Sequence, residues 1–413
     1  MSVLVTGGAG YIGGHMTLAL IDAGEKVVVV DNLSTGFAWA VPEAATLAVG
    51  DFGDSELIGR LLAEHEIDAI AHFAAKIVVP ESMRDPLGYY LNNVAKARNL
   101  IECAIEGGVR NFIFSSTAAV YGETSSEPVG EEAPLAPVSP YGRSKLMVEW
   151  MLEDAAHAHD LRYVALRYFN VAGADPKGRL GQSTPNATHL IKRGVQTALG
   201  RHRSLDIFGE DYPTRDGTCV RDYIHVTDLI DAHMAALAYL RRGGAALVCN
   251  CGYGHGATVK EVVDVVKRVS GVDFPVHKVG RRPGDPAAIV ARADRAVADP
   301  VDDQMAGAQG CGRGRGLFDR RTHQSLDRDQ QSRPENRRRE PDRRLLARLR
   351  TRPLCADPRG RRDAVRRMVR LVHRALARRR RGQAEKRRVT ISSARRRSPL
   401  PASCGERSRR GEE

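Results

Sequence analysis

What this chain lacks closes several explanations before any motif is read. No uncharged apolar stretch approaches the roughly 18 residues that a membrane-spanning helix needs. Met1-Ser2-Val3-Leu4-Val5-Thr6-Gly7 enters a strand pattern at once, with no charged and apolar leader. A soluble, cytoplasmic protein with no membrane partner is therefore expected. The seven cysteines (Cys103, Cys219, Cys249, Cys251, Cys311, Cys355 and Cys404) are odd in number and scattered, which excludes a secreted disulfide framework and fits a reducing compartment. Aromatics make up 5% of the chain and none follows Phe318, so the last quarter has little from which to build a core. Lysine is almost missing there: the basic residues after position 300 are 33 Arg and one Lys, Lys386.

Charge divides the chain in two. Residues 301 to 413 hold 34 of the 63 Lys+Arg and 14 of the 50 Asp+Glu, which leaves 29 and 36 for residues 1 to 300. The body is mildly acidic and the basic character belongs to the tail, so whole-chain charge says nothing about a nucleic-acid partner. In the body, short apolar runs (Val3-Leu4-Val5, Lys26 to Val30, Thr46 to Val49, Ala69 to Phe73, Phe112 to Phe114, Tyr163 to Leu166) alternate with helical segments at about 12–23, 55–65, 92–106 and 141–158. Continuous β-branched runs mark strands buried on both faces, and the helices supply the crossovers that parallel strands require. The expected fold class is α/β: a doubly wound parallel sheet over 1–170, a smaller α/β substrate unit over 171–297 with helices near 227–241 and 258–270, and an Arg-rich, disordered tail over 298–413.

Thr6-Gly7-Gly8-Ala9-Gly10-Tyr11-Ile12-Gly13 follows the first strand and opens the first helix. Gly7 permits the tight turn, Gly10 lets backbone approach a pyrophosphate, and Gly13 lets the helix pack closely on the strand. The helix N-terminus offers unpaired N–H groups to the anion. Asp31 ends the second strand about 20 residues on, where a carboxylate accepts from ribose hydroxyls and repels a 2′-phosphate, so NAD is expected rather than NADP. Asp51, after the third strand, is a candidate for the adenine edge. Tyr141-Gly142-Arg143-Ser144-Lys145 puts a phenol and an ammonium on one face of a helix start. The cation of Lys145 and the charge of a bound nicotinamide are both expected to lower the Tyr141 pKa and make the phenol a proton acceptor for a substrate alcohol, with Thr117 bonding the same oxygen. No metal site is read.

These residues resemble the extended short-chain dehydrogenase/reductase superfamily and, within it, the UDP-glucose 4-epimerases, over residues 1–297. The resemblance rests on Thr6 to Gly13, Ser115 to Gly122, Ser139 to Lys145, Arg167 to Asn170 and above all Phe208 to Val226. It implies a redox epimerase: Tyr141 takes the proton of the sugar 4-hydroxyl, the C4 hydride passes to NAD+, and the 4-keto sugar turns over and is reduced on its other face. It also implies NAD contacts at Gly7, Gly10, Tyr11, Ile12, Gly13, Asp31, Asn32, Asp51, Phe52, Phe73, Ala74, Ala75, Asn92, Ser115, Tyr141, Lys145 and Phe169. The UDP-sugar is implied to touch Thr117, Asn170, Leu190, Phe208, Arg221, Arg282 and Asp285. Where some members carry a cofactor-contacting Lys, alignment puts Ile77, so Lys76 inherits no role. His189 replaces a nucleotide-contacting Asn, which leaves Leu190 as a backbone contact. The position that gates N-acetylated sugars falls near Ile289. A homodimer through the helices near 92–106 and 141–158 is implied as well.

Rival readings differ at a few residues. A 4,6-dehydratase needs an acid and a base after the Thr, and Ala118-Ala119 cannot transfer protons. A 4-epimerase of another UDP-sugar (uronate, pentose or N-acetylhexosamine) differs only in pocket detail. A further rival is a catalytically impaired protein whose basic tail binds nucleic acid; against it stand the missing aromatics and the near-absence of Lys. The reading adopted for the tail is a frameshift near residues 296–304 in a GC-rich gene, with low stability or weak activity as the expected consequence.

Overall fold

A computed structural model of the chain describes residues 1–124, 128–184, 187–282 and 284–293. The tail over 298–413, its frameshift and its nucleic-acid reading lie outside the described residues.

In chain order the elements are β1 (Ser2–Thr6), α1 (Tyr11–Asp22), β2 (Lys26–Asp31), β3 (Thr46–Val49), α2 (Ser55–His65), β4 (Ile67–His72), α3 (Val79–Arg84), α4 (Pro86–Tyr90), α5 (Lys96–Glu106), β5 (Asn111–Thr117), α6 (Pro140–Ala158) and β6 (Arg162–Tyr168). There follow β7 (Asn170–Ala172), α7 (Leu190–Ala198), β8 (Leu205–Phe208), β9 (Val220–His225), α8 (Val226–Arg241), β10 (Leu247–Cys251), β11 (Gly256–Thr258), α9 (Val259–Ser270), β12 (Val276–Val279) and β13 (Ala288–Ile289). A π-helical turn, Leu91–Ala95, joins α4 to α5.

Seven strands form one parallel sheet in the order β10-β6-β5-β4-β1-β2-β3. Burial explains the composition of these strands: β1 and β5 are buried along their whole length, so both faces need apolar or hydrogen-bonded side chains. One face packs on α1 and α8 through Met16, Leu20, Leu229, Leu237 and Leu240; the other packs on α2, α5 and α6 through Ile58, Leu62, Leu100, Val148 and Leu152. The strand order reverses at β1/β4, and there the carboxyl ends open a crevice suited to a dinucleotide.

The expected boundary at residue 170 needs correction. Helix α8 and strand β10, both beyond it, return to cover and extend the large sheet, with Leu247–Cys251 paired to Val164–Tyr168 of β6. Their apolar residues complete the first core, which is why they cannot belong to a separate unit. What stands apart is smaller: β11-β9-β13 with β7 on β9, the pair β12-β8, and α7 packed on α9 around Ile191, Val195, Val262, Val266 and Phe274. These strands escape a sequence reading because most have three or four residues and follow no period.

Candidate active site

The glycine turn is built as its spacing requires. Gly7 has φ +73°, and a Cβ there would lie 2.8 Å from the backbone nitrogen of Ala74, so only glycine lets the turn after β1 touch the chain leaving β4. Gly13 serves a different contact from the expected one: a Cβ would meet the carbonyl oxygen of Gly7 at 2.3 Å, so this glycine lets α1 pack on the turn rather than on the strand. Gly10 is the N-cap of α1 and provides no side-chain cap, and no acidic residue occupies the first turn. That uncapped N-terminus at the mouth of the crevice suits an anion, and the turn and helix together fit the diphosphate of a dinucleotide.

Asp31 ends β2 and ties two turns together: Oδ2 accepts from the backbone N–H of Ala9 at 3.0 Å and Oδ1 from that of Leu33 at 2.8 Å. Two N–H groups leave lone pairs for ribose hydroxyls. Asn32 accepts from Ser34 N–H at 3.1 Å. Asp51 is engaged already, by Lys96 Nζ at 2.5 Å and by Gly53 N–H at 2.9 Å. Phe52 is a core side chain against His72, ring centroids 5.0 Å apart, so only its backbone could meet an adenine. Tyr11 likewise turns away from the crevice, its hydroxyl donating to the Gly173 carbonyl at 2.8 Å, while Ile12 packs on the core.

Beyond β4, Phe73 N–H donates to the Thr6 carbonyl at 3.1 Å and its ring lies 4.9 Å from that of His233; Ala74 and Ala75 follow along the crevice. Lys76 points outward to Asp85 at 3.3 Å, in keeping with its having no cofactor role. Asn92 sits on the π turn and donates to Asn93 at 3.0 Å. The sequence reading missed Asn93 itself. It is buried, grips both the N–H and the carbonyl of Lys76 at 2.9 Å, and donates to Ser144 Oγ at 3.1 Å, so it pins the crevice wall to α6. Nothing in the sequence marks it, because the π turn that aims it inward breaks the helical period.

The chemistry lies one strand away from the crevice, where β5 ends. Thr117 Oγ1 accepts from Ala119 N–H at 3.2 Å, and the Thr117 side chain favours the ionised form of Tyr141. Ser139 caps α6 by accepting from Gly142 N–H at 3.1 Å, which fixes the helix start on which Tyr141 stands. One turn on, Lys145 Nζ donates to the Ser115 carbonyl at 2.8 Å and lies 4.8 Å from the Phe114 ring centroid. Ser115 Oγ is hydrogen-bonded to the Tyr168 hydroxyl. Phe169 is buried with Ala118, Tyr121, Leu146 and Ile289, so Ile289 belongs to a packed cluster.

Tyr141 is held above its ordinary pKa because it is buried, with the Thr117 side chain opposing. Lys145 does not overcome this, since its own desolvation pushes it down to about 7, opposed by the charge of Glu149. Burial outweighs the neighbouring cation in the free protein.

Residues far apart in sequence gather at the nucleotide side. Arg221 on β9 lies 3.5 Å from Asp285, and the Arg282 guanidinium is 3.6 Å from the Phe208 ring centroid. Asn170 on β7 pairs in register with Tyr223 on β9, and Asn170, His189, Leu190, Gln182 and Tyr223 line a shallow cleft.

Residues 3–252 match the NAD dependent epimerase/dehydratase family. The chain belongs to that family. Among other members of the NAD dependent epimerase/dehydratase family, it is 57% identical over 293 residues to a UDP-glucose 4-epimerase of Azospirillum brasilense, a match covering 71% of this chain and 84% of the relative. The crystal structure of UDP-glucose 4-epimerase from Brucella ovis in complex with NAD is 44% identical with a TM-score of 0.70, covering 72% of this chain and 91% of that one. That from Bifidobacterium longum in complex with NAD+ and UDP is 36% identical with a TM-score of 0.69, covering 75% and 97%. No helix among the described residues is long and apolar enough to cross a membrane.

Proposed function

We propose that this chain is an NAD-dependent UDP-glucose 4-epimerase. The observation that carries the reading is the burial of Tyr141 and Lys145, one turn apart on α6, beside Thr117 at the carboxyl end of β5, one strand from a glycine-lined crevice. NAD held by the α1 N-terminus and Asp31 supplies an acceptor and then a donor of two electrons at the sugar C4. The protein handles the proton. Tyr141 receives it from the 4-hydroxyl and returns it after the 4-keto sugar has presented its other face; Thr117 orients the oxygen, and the Lys145 cation stabilises the phenolate. Arg221 and Arg282 face the substrate diphosphate, where charge-assisted guanidinium bonds are strong, and Asn170, Leu190, Phe208 and Asp285 complete the nucleotide side. The dehydratase alternative is unsupported because Ala118-Ala119 forms a short turn without a proton-transferring group.

A homodimer belongs to the same reading, with Met83, Leu87, Leu91 and Trp150 leaving apolar surface on α3, α4, the π turn and α6. So does a cytoplasmic location, in keeping with Cys103, Cys219, Cys249 and Cys251, which are buried thiols rather than disulfides. The test is to incubate the purified full-length chain with UDP-galactose and no added cofactor. UDP-glucose should form, because each turnover restores the oxidised cofactor. Failure to convert even with NAD supplied would overturn the reading.

A further inference from the structure

Helix α6 carries a third polar side chain on its catalytic face. Tyr141, Lys145 and Glu149 are spaced four apart, so all three lie on one stripe of the helix, and all three are buried against β5 and β6. A carboxylate buried to this degree is rare unless paired. Glu149 is paired thoroughly: Arg167 Nη2 donates to Oε2 at 2.6 Å, Arg167 Nε to Oε1 at 3.0 Å, and Ser116 Oγ to Oε1 as well. Arg167 is immobile in turn. Its Nη1 donates to the Tyr121 hydroxyl at 3.1 Å, that hydroxyl donates to Asn250 Oδ1 at 2.7 Å, and Asn250 Nδ2 donates to the Val129 and Arg292 carbonyls. The carboxylate is fixed in place.

Lys145, by contrast, has a neutral partner. Its nitrogen donates to a carbonyl, and it forms no ion pair among the described residues. The groups facing it or its neighbours from the packed elements are Tyr141 and Glu149 on its own helix, His72 on β4, Thr117 on β5, Tyr163, Arg167 and Tyr168 on β6, and Tyr89 on α4. The phenols and His72 are neutral in this burial, which leaves Glu149 as the anion of the set.

We propose that Glu149 is a positioning residue for the epimerisation: fixed by Arg167 and Ser116 one turn behind Lys145, it supplies the standing negative charge that keeps this lysine an ammonium beside Tyr141. The inference rests on the epimerase reading for its consequence in catalysis, although the charge relation itself does not. Burial drives Lys145 down, the charge of Glu149 opposes that descent, and the balance of the two leaves it at about 7. Without it, neutral lysine would predominate at working pH, and the phenolate would lose its counter-charge.

The test uses the full-length chain with its cofactor and compares wild type with Glu149→Gln by two readouts. The first is the titration of Lys145 followed by NMR of ¹³Cε-labelled lysine, its signal assigned by loss in Lys145→Arg. The second is the pH profile of kcat and KM for UDP-galactose. In Glu149→Gln the Lys145 midpoint should fall by about one pH unit, and the alkaline limb of kcat should move with it, so that above the limb kcat drops about tenfold while KM stays within about twofold. Glu149→Asp, which keeps the charge, should return the midpoint most of the way. If Glu149→Gln does not fold because Arg167 is left unpaired, the double replacement Glu149→Met with Arg167→Met removes both buried charges at similar volume and should give a smaller fall in the midpoint, because the repulsion of Lys145 by Arg167 goes with it. An unmoved Lys145 midpoint in whichever variant folds would overturn the proposal and reduce Glu149 to a packing role. If wild type fails to convert UDP-galactose, the functional reading falls, while the titration of Lys145 still decides this one.

Discussion

The two ends of the cleft treat charge in opposite ways. At the catalytic end, Tyr141, Lys145 and Thr117 are all buried, and burial dominates the proton affinities of Tyr141 and Lys145. At the nucleotide end, Arg221 donates to the Val220 carbonyl at 2.8 Å and has a long 3.5 Å ion pair with Asp285, whose side chain is 35% exposed, and Arg282 lies over an aromatic face instead of in a closed ion pair. A group that must move a proton gains from a dry site, where each neighbouring dipole acts at full strength. A guanidinium that must capture a diphosphate gains from staying loosely paired, because breaking a tight salt bridge would offset the new contacts.

That contrast predicts two distinct kinetic signatures. Tyr141→Phe removes the proton carrier without changing the shape of the site, so kcat for UDP-galactose should fall by about 10³ to 10⁴, the upper range for general acid–base groups. Cofactor content, read from absorbance after denaturing the protein, should not change. Retention of a tenth of the activity would show that another group moves the proton. Arg221→Gln should act on binding instead. Loss of one charge-assisted contact is worth about 1.5–3 kcal/mol, so KM should rise about 10- to 100-fold with kcat within a few fold. If the two variants lowered kcat alike, the division of labour between the ends would be wrong.

The catalytic end was legible because it is local. Thr117 closes an apolar run, Tyr141 and Lys145 share one helical turn, and the glycine turn is contiguous; all three are patterns of spacing. The nucleotide end was legible only through resemblance, because Phe208, Arg221 and Arg282 are brought together by short strands that no periodicity announces. Two kinds of feature were hidden altogether. Asn93 depends on a π turn, and the return of α8 and β10 to the large sheet depends on packing against α1 and β6. The raised Tyr141 pKa of the free protein was hidden for a third reason: adjacency in sequence reveals a cation but not the desolvation that weakens it.

A drier catalytic end also carries a liability in acid, and His233 measures it. This side chain on α8 is fully buried behind the crevice, its ring 4.9 Å from Phe73 and 6.3 Å from Tyr168, with Nδ1 2.8 Å from the Leu229 carbonyl and Nε2 without a hydrogen-bond partner. Burial lowers its pKa to about 4. Between the ordinary value of about 6.5 and that figure, the unfolded chain binds a proton that the folded chain refuses, so stability is lost as pH falls through this window. His15, His225 and His72 are lowered by the same cause and act in the same direction. Asp222 opposes them: burial raises it to about 6, so it binds a proton in the fold before it does so in the unfolded chain. Asp228 is raised in the same way, but two carboxyls cannot balance these imidazoles, which His189 joins. The urea midpoint should therefore fall steeply from pH 7 to pH 5. His233→Phe, which fills the site without a titrating group, should recover about 2 kcal/mol of that loss. An equal loss in the variant and in wild type would show that His233 takes up its proton within the fold, and that the back of the catalytic end is wetter than its packing indicates.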